Sequence, residues 1–192
     1  FWQVYVPERF AERHGLAAGD AHAECFRRYN AVHGTLAWYC VDYWSEALNL
    51  DIVRLKEEVA HLIAVHPDVP EFLAAARAAG KRVVMVTNAH HKSLALKMRR
   101  TGLAAHFDAL YSAHEFGLAK EQPDFWDRLA EREAFVPARS LLVDDSLPVL
   151  RSARAYGIAH LRAVYTPDTR QATRDVADFA AIHRFSDLMP IG

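Results

Sequence analysis

The rhythm of hydrophobic and polar positions changes near residue 65. Before it, apolar and aromatic residues recur at helical spacing with no strand-like alternation; Trp38, Val41, Tyr43, Trp44 and Leu48 share one such stretch. Gly15 and Gly19 punctuate this block, and Asn49 marks a helix end. Beyond it, short apolar runs alternate with amphipathic ones. The pattern predicts a helix over 67–79, with Pro70 near its start and Gly80 as its stop. A strand over 82–86 precedes a helix over 90–100, which Gly102 breaks. Then come a strand over 107–112, a helix over 123–133 and a strand over 140–143. A helix over 148–156, closed by Gly157, leads into a strand over 158–164. The tail is mixed, with a final short helix over 185–189. Such alternation predicts an α/β domain with a parallel, doubly wound sheet over 66–192. The helical block 1–65 is then a cap or an insertion.

Composition narrows the possible functions. The chain has 192 residues, 52% of them hydrophobic, enough for one α/β domain with a small helical addition. The 23 basic and 24 acidic side chains nearly cancel, which argues against nucleic acid as a partner. No apolar run approaches the roughly 18 residues that span a membrane. Cys25 and Cys40 are too few for a disulfide framework and read as reduced thiols of a cytoplasmic protein. The opening, Phe1-Trp2-Gln3-Val4-Tyr5-Val6, lacks the features of a signal peptide and reads as the middle of a folded segment.

Candidate chemistry lies at the predicted strand ends. Ser140-Leu141-Leu142-Val143 runs into Asp144, Asp145 and Ser146, as a buried parallel strand does when it delivers acids to the carboxyl edge of a sheet. Val83-Val84-Met85-Val86 runs into Thr87 and Asn88, whose hydroxyl, amide and adjacent backbone N–H groups suit phosphate oxygens. Either residue serves equally as the N-cap of the next helix. Lys120 follows a Gly-containing loop; it suits a phosphate or an acidic neighbour, or is a solvated surface lysine. Asp144 and Asp145 leave a strand on opposite faces, so they are not equivalent ligands without a bend, and a double-Asp turn accounts for them as well. Taken together, hydroxyl, amine and carboxylates suit a phosphate and a hard cation such as Mg²⁺.

In this order the three strand ends resemble the haloacid dehalogenase (HAD) superfamily, at motif level over about 66–165. The resemblance implies a HAD-type Rossmann-like sheet with a helical cap. It also implies that Thr87 binds phosphate, that Lys120 stabilises a phospho-intermediate, and that Asp145 ligates Mg²⁺ with Asp144 beside it. Two features depart from the family. Val149 stands where many members carry a second acid. More importantly, no apolar strand here ends in Asp-x-Asp-Gly-Thr, the motif that supplies the family's nucleophile and its general acid/base. The strand bearing that motif is central in the family's sheet, and its absence leaves two strand edges unpaired. The expectation is that the natural protein carries it a short way upstream of Phe1.

The stretch Trp38-Tyr39-Cys40-Val41-Asp42-Tyr43-Trp44 packs two Trp and two Tyr into seven residues. These aromatics fill a helical core, or they form a platform for a flat base. The stretch resembles the cap of bacterial HAD-type GMP/IMP 5′-nucleotidases, as do Val84-Met85-Val86-Thr87-Asn88-Ala89-His90 and Glu115-Phe116-Gly117. That resemblance covers essentially the whole chain. It implies hydrolysis of purine nucleoside monophosphates, with Trp38 and Trp44 against the base and Thr87, Asn88, Lys120 and His90 binding substrate. Alternatives are a HAD phosphatase for another small phosphometabolite, such as phosphoglycolate, and a catalytically inactive HAD-like binding protein. The basic run Lys97, Arg99, Arg100 suits a helix C-terminus.

Overall fold

The computed structural model describes residues 1–168 and 171–191. In chain order the helices are α1 (Tyr5–His14), α2 (Ala18–Ala31), α3 (Leu36–Tyr39), α4 (Val41–Leu48), α5 (Ile52–Glu58), α6 (Val69–Ala78), α7 (His91–Thr101), α8 (Asp124–Arg132) and α9 (Leu147–Tyr156). The strands are β1 (Val84–Thr87), β2 (Ala109–Ser112), β3 (Leu141–Asp144), β4 (His160–Val164) and β5 (Ala181–Ile182). Two compact units result. One comprises residues 1–64 with 88–102; the other comprises 65–87 and the chain from Leu103 onward.

The first unit is helical and takes in α7. Its helix ends follow local chemistry. Gly15, at φ 64°, caps α1 in the left-handed region, and its N–H donates to the Ala11 carbonyl. Asn49, at φ 52°, ends α4 in the same way. Asp51 opens α5, its Oδ1 accepting from the Arg54 N–H at 2.9 Å. Gly19, expected to punctuate, lies inside α2 instead. The aromatic stretch is two helices, broken at Cys40, whose Sγ accepts from the Tyr43 N–H at 3.4 Å. Trp44 is fully buried, with Trp2, Tyr29 and Trp38 ring centroids 5.8, 5.0 and 5.9 Å from its own. Its Nε1–H donates to the Trp38 carbonyl at 2.8 Å, so this large ring is buried with its one polar group satisfied.

The second unit carries the parallel strands. β1 pairs with β2 from Val84↔Ala109 to Thr87↔Ser112. β3 pairs with β4 from Leu141↔His160 to Asp144↔Ala163, and β4 with β5 at Ala163↔Ala181. Every pairing is parallel, as the alternation predicted. The strands form two groups, β1-β2 and β3-β4-β5. Among the described residues no strand lies on the second edge of β1 or of β3, which is where the family resemblance places a central strand. Val84, Met85 and Val86 are accordingly half-buried, and Leu141 is exposed, although their sequence reads as fully buried strand. β5 was not legible in the tail, and the final predicted helix is a single 3₁₀ turn, Phe185–Leu188. Asp68, at φ 64°, fixes that tail to the start of α6: its carboxylate accepts two bonds from the Arg184 guanidinium and one from Ser186 Oγ at 2.7 Å.

Glu133, at the end of α8, is buried and binds Tyr111 of β2 and Arg82, which precedes β1. It accepts from the Arg82 guanidinium, including Nη2 at 2.8 Å, and from Tyr111 Oη at 3.1 Å. The guanidinium holds the Glu133 carboxyl below the usual carboxylate range, against burial, with help from the Tyr111 hydroxyl. A depressed carboxyl stabilises the fold above its unfolded pKa, about 4.3, and that contribution is lost as pH falls through the lower folded value. Glu133→Gln should therefore lower stability by about 1–3 kcal/mol at neutral pH in urea denaturation. The gap to wild type should close in acid; an unchanged midpoint at pH 7 would contradict the assignment. Trp44→Ala should cost about 3–5 kcal/mol by the same measure.

Candidate functional site

Three predicted site residues arise at strand ends of the second unit. Thr87 closes β1 and Asp144 closes β3, each after three apolar residues. Lys120 arrives from β2 by a tightly built turn. Ser112 Oγ accepts from the His114 N–H at 3.3 Å, and Glu115 Oε1 accepts from the Ser112 N–H at 2.8 Å, a reciprocal cap just beyond the strand. Gly117 then adopts φ 70°, a left-handed turn that favours glycine. Gln122 Oε1 accepts from the Ala119 N–H at 2.8 Å and holds the backbone next to Lys120.

Lys120 and Asp144 meet. Lys120 Nζ donates to Asp144 Oδ2, and their side chains are only 9% and 7% exposed. Lys120 is thus no solvated surface lysine. Desolvating two charges costs several kcal/mol per ion, and their attraction offsets this only in good geometry with further hydrogen bonds. One such bond comes from the Ser146 N–H, which donates to Asp144 Oδ1 at 2.9 Å. That bond is also the aspartate turn foreseen as an alternative, so turn and ion pair coexist on one carboxylate. Asp145 turns the other way. It is exposed, with Arg174 Nη1 3.7 Å from its Oδ2. The two adjacent acids are therefore inequivalent, as the alternation of side chains along a strand requires. Carboxylates and a hydroxyl are the donor types that Mg²⁺ takes, and of these Asp144 is already engaged by Lys120.

The remaining predicted residues lie in the first unit. Asn88 and His90 are buried. His90 is the N-cap residue of α7 and makes no side-chain capping bond, so neither Thr87 nor Asn88 takes the cap role open to them in sequence. His90 Nε2 lies 3.8 Å from Asp42 Oδ2, and Lys92 Nζ donates to Asp42 Oδ1 at 2.7 Å. The Lys92 ammonium, aided by the charges of His90 and His91, holds the Asp42 carboxyl below the usual carboxylate range. Sequence reasoning missed Asp42 and Lys92, although Asp42 opens the Asp-Tyr-Trp-Ser-Glu phrase. Trp38 is half-buried, whereas Trp44 has no exposed surface. Trp44 is corrected here to a core residue: a fully covered ring has no face on which to stack a base.

Comparison with known proteins agrees with this geometry. Residues 8–157 match the haloacid dehalogenase-like hydrolase family. The chain is 37% identical over 190 residues to the GMP/IMP nucleotidase YrfG of Escherichia coli (strain K12), covering 99% of this chain and 86% of that protein. The nucleotidase of the same name from Shigella flexneri matches to the same extent. Among solved structures, a HAD phosphatase from Thermococcus onnurineus superposes with a TM-score of 0.80 at 20% identity, over 97% of this chain and 86% of that one. The L-2-haloacid dehalogenase of Xanthobacter autotrophicus does so with a TM-score of 0.60 at 15% identity, over 95% and 89%. These two likenesses bear on the fold. No helix among the described residues is long and apolar enough to cross a membrane. With parallel strands delivering Thr87, Lys120 and Asp144 in family order, and a family match over most of its length, the chain belongs to the haloacid dehalogenase-like hydrolases and is an enzyme.

Proposed function

We propose that this protein is a Mg²⁺-dependent phosphatase of purine nucleoside 5′-monophosphates, chiefly GMP and IMP, acting through a phosphoaspartate. The observation that carries the reading is the buried ammonium of Lys120, paired with Asp144 at the carboxyl ends of parallel strands. A cation held there by a fixed carboxylate is oriented before substrate arrives, which is what stabilising a phosphoryl charge requires. The substrate follows from the 37% identity to a GMP/IMP nucleotidase over 99% of the chain.

In this reading residues 66–192 form the catalytic core and 1–65 its cap. The Thr87 hydroxyl and the Lys120 ammonium hold phosphoryl oxygens, with the Asn88 amide beside them. Trp38 offers a half-buried ring to the purine, and base stacking on such a ring contributes about 1–3 kcal/mol. His90 completes the substrate side. Asp145, with Asp144 beside it, would hold Mg²⁺, whose charge offsets that of the phosphoryl group when bound. The nucleophile and the acid/base are an Asp-x-Asp pair on a strand that pairs with the open edges of β1 and β3. One aspartate attacks phosphorus and the bond to ribose O5′ breaks, the second aspartate giving O5′ its proton. That second aspartate then takes a proton from water, which attacks phosphorus, releases inorganic phosphate and restores the nucleophile. The free thiols of Cys25 and Cys40 accord with a cytoplasmic enzyme.

The test is phosphate release by the full-length protein with Mg²⁺ across a panel of nucleotides, sugar phosphates and phosphoglycolate. GMP and IMP should exceed all others; phosphoglycolate in first place, or no release from folded protein, would sink the reading. Asp145→Asn should lower kcat sharply and raise the Mg²⁺ concentration needed for half-maximal rate. Lys120→Met should abolish turnover and, by leaving Asp144 buried without its partner, cost about 3–5 kcal/mol in a melting curve.

A further inference from the structure

Within the first unit, α5 and α7 enclose a groove of about 280 Å³, near the lower end of what small-molecule sites occupy. One face of each helix lines it. Val53, Lys56 and Glu57 stand three and four residues apart on α5, and Ala95, Leu96 and Arg99 do so on α7. Val53 and the buried Leu96 give the groove an apolar floor. Its charged side chains do not balance: Lys56, Lys92 and Arg99 face a single acid, Glu57. Lys92 already donates to Asp42 at 2.7 Å. Lys56 and Arg99 have no such partner, since among the described residues no carboxylate lies within ion-pair distance of either. Lys56 is half-buried, with its Nζ 4.4 Å from the Phe1 ring centroid and 5.3 Å from that of Trp2. Ring faces attract an ammonium, yet they leave its three N–H groups without an oxygen acceptor. Burial pushes the Lys56 ammonium down to about 8, and the Lys97 charge adds to the effect. A cation withdrawn from water is ordinarily paired. The protein's own side chains do not pair this one.

We propose that the groove between α5 and α7 binds a small phosphomonoester with an apolar body, its phosphate held by Lys56 and Arg99. All the residues invoked belong to the first unit, and none of them takes part in the proposed hydrolysis, so the inference does not rest on that reading. A phosphate dianion brings two negative charges to two unpaired cations. The Arg99 guanidinium meets it with two parallel N–H groups, a fork that suits phosphate, and Lys56 meets it as a point charge. A carboxylate brings one charge and leaves one of the two cations uncompensated. The apolar remainder of the ligand lies over Val53 and Leu96, where its burial adds to the affinity. The exposed Glu57 repels further negative charge, which favours a monoester over a polyphosphate. An anion in the groove also favours the charged form of Lys56 and so restores the amine towards its ordinary state.

The experiment is limited acetylation of the full-length protein with acetic anhydride, each lysine being followed by mass spectrometry of its peptide. Only the neutral amine reacts, so an anion that covers Lys56 and holds it charged slows the reaction there. The probe is phenylphosphonate, whose C–P bond a phosphatase does not hydrolyse. It should protect Lys56 while the exposed Lys81 reacts as before. Benzyl alcohol, which has the ring without the charge, should not protect. Arg99→Gln should raise the phenylphosphonate concentration for half-protection of Lys56 by about tenfold or more, the loss of one charged hydrogen bond. Arg100→Gln, also exposed but outside the groove, should leave that concentration unchanged. Lys56 that reacts equally with and without phenylphosphonate would overturn the proposal. So would equal protection by benzyl alcohol, which marks an apolar pocket rather than an anion site. An unchanged half-protection in Arg99→Gln, or the same loss in Arg100→Gln, would overturn it as well.

Discussion

Lys120 and Asp144 are both almost wholly withdrawn from water, and burying either charge without the other costs several kcal/mol. That condition propagates outward. It demands that the turn after β2 and the end of β3 arrive at one place to within a hydrogen bond. The Ser112–Glu115 cap, the left-handed Gly117 and the Gln122 bond to the backbone beside Lys120 make the first arrival reproducible. The Ser146 N–H on Asp144 Oδ1 makes the second. A pair held this way is fixed before any ligand arrives, and preorganisation of that kind is where most electrostatic catalysis originates.

The interrupted sheet follows from the same architecture. β1 with β2, and β3 with β4 and β5, are parallel throughout, yet β1 and β3 each keep one edge without a strand among the described residues. Parallel strands need cover on both faces and both sides to bury their apolar runs. Here the runs are apolar enough for that burial, but the residues of β1 stay half-buried. Sequence and structure disagree at these strands in a way that an added central strand would remove.

The helical unit is organised differently. Its core is aromatic, built around Trp44 with Trp2, Tyr29 and Trp38 packed mostly edge-on, a geometry that suits ring quadrupoles better than face-to-face stacking. The extended backbone at Cys40 separates α3 from α4. It also leaves Asp42 in the first turn of α4, its carboxylate directed to Lys92 near the start of α7. Packing thus covers one Trp completely, half-covers the other, and leaves Asp42 and Tyr43 accessible.

By itself the sequence determined the alternation of helix and strand as far as β4 and its parallel arrangement, because helical and strand periodicities are local properties. Strand ends carrying Thr87, Asp144 and Asp145 were legible for the same reason, as was the family. Some boundaries were not: Gly19 reads as a break but lies within a helix, since one glycine costs a helix only about 1 kcal/mol. Only the tertiary structure decided that Lys120 is buried and paired, that Asp144 rather than Asp145 is its partner, and that Trp44 is core while Trp38 keeps some exposure. It alone joined Asp42 to Lys92, 50 positions apart. These are statements about which side chains lose water and to whom. Desolvation and pairing depend on neighbours distant in the chain, which no local pattern of residues records.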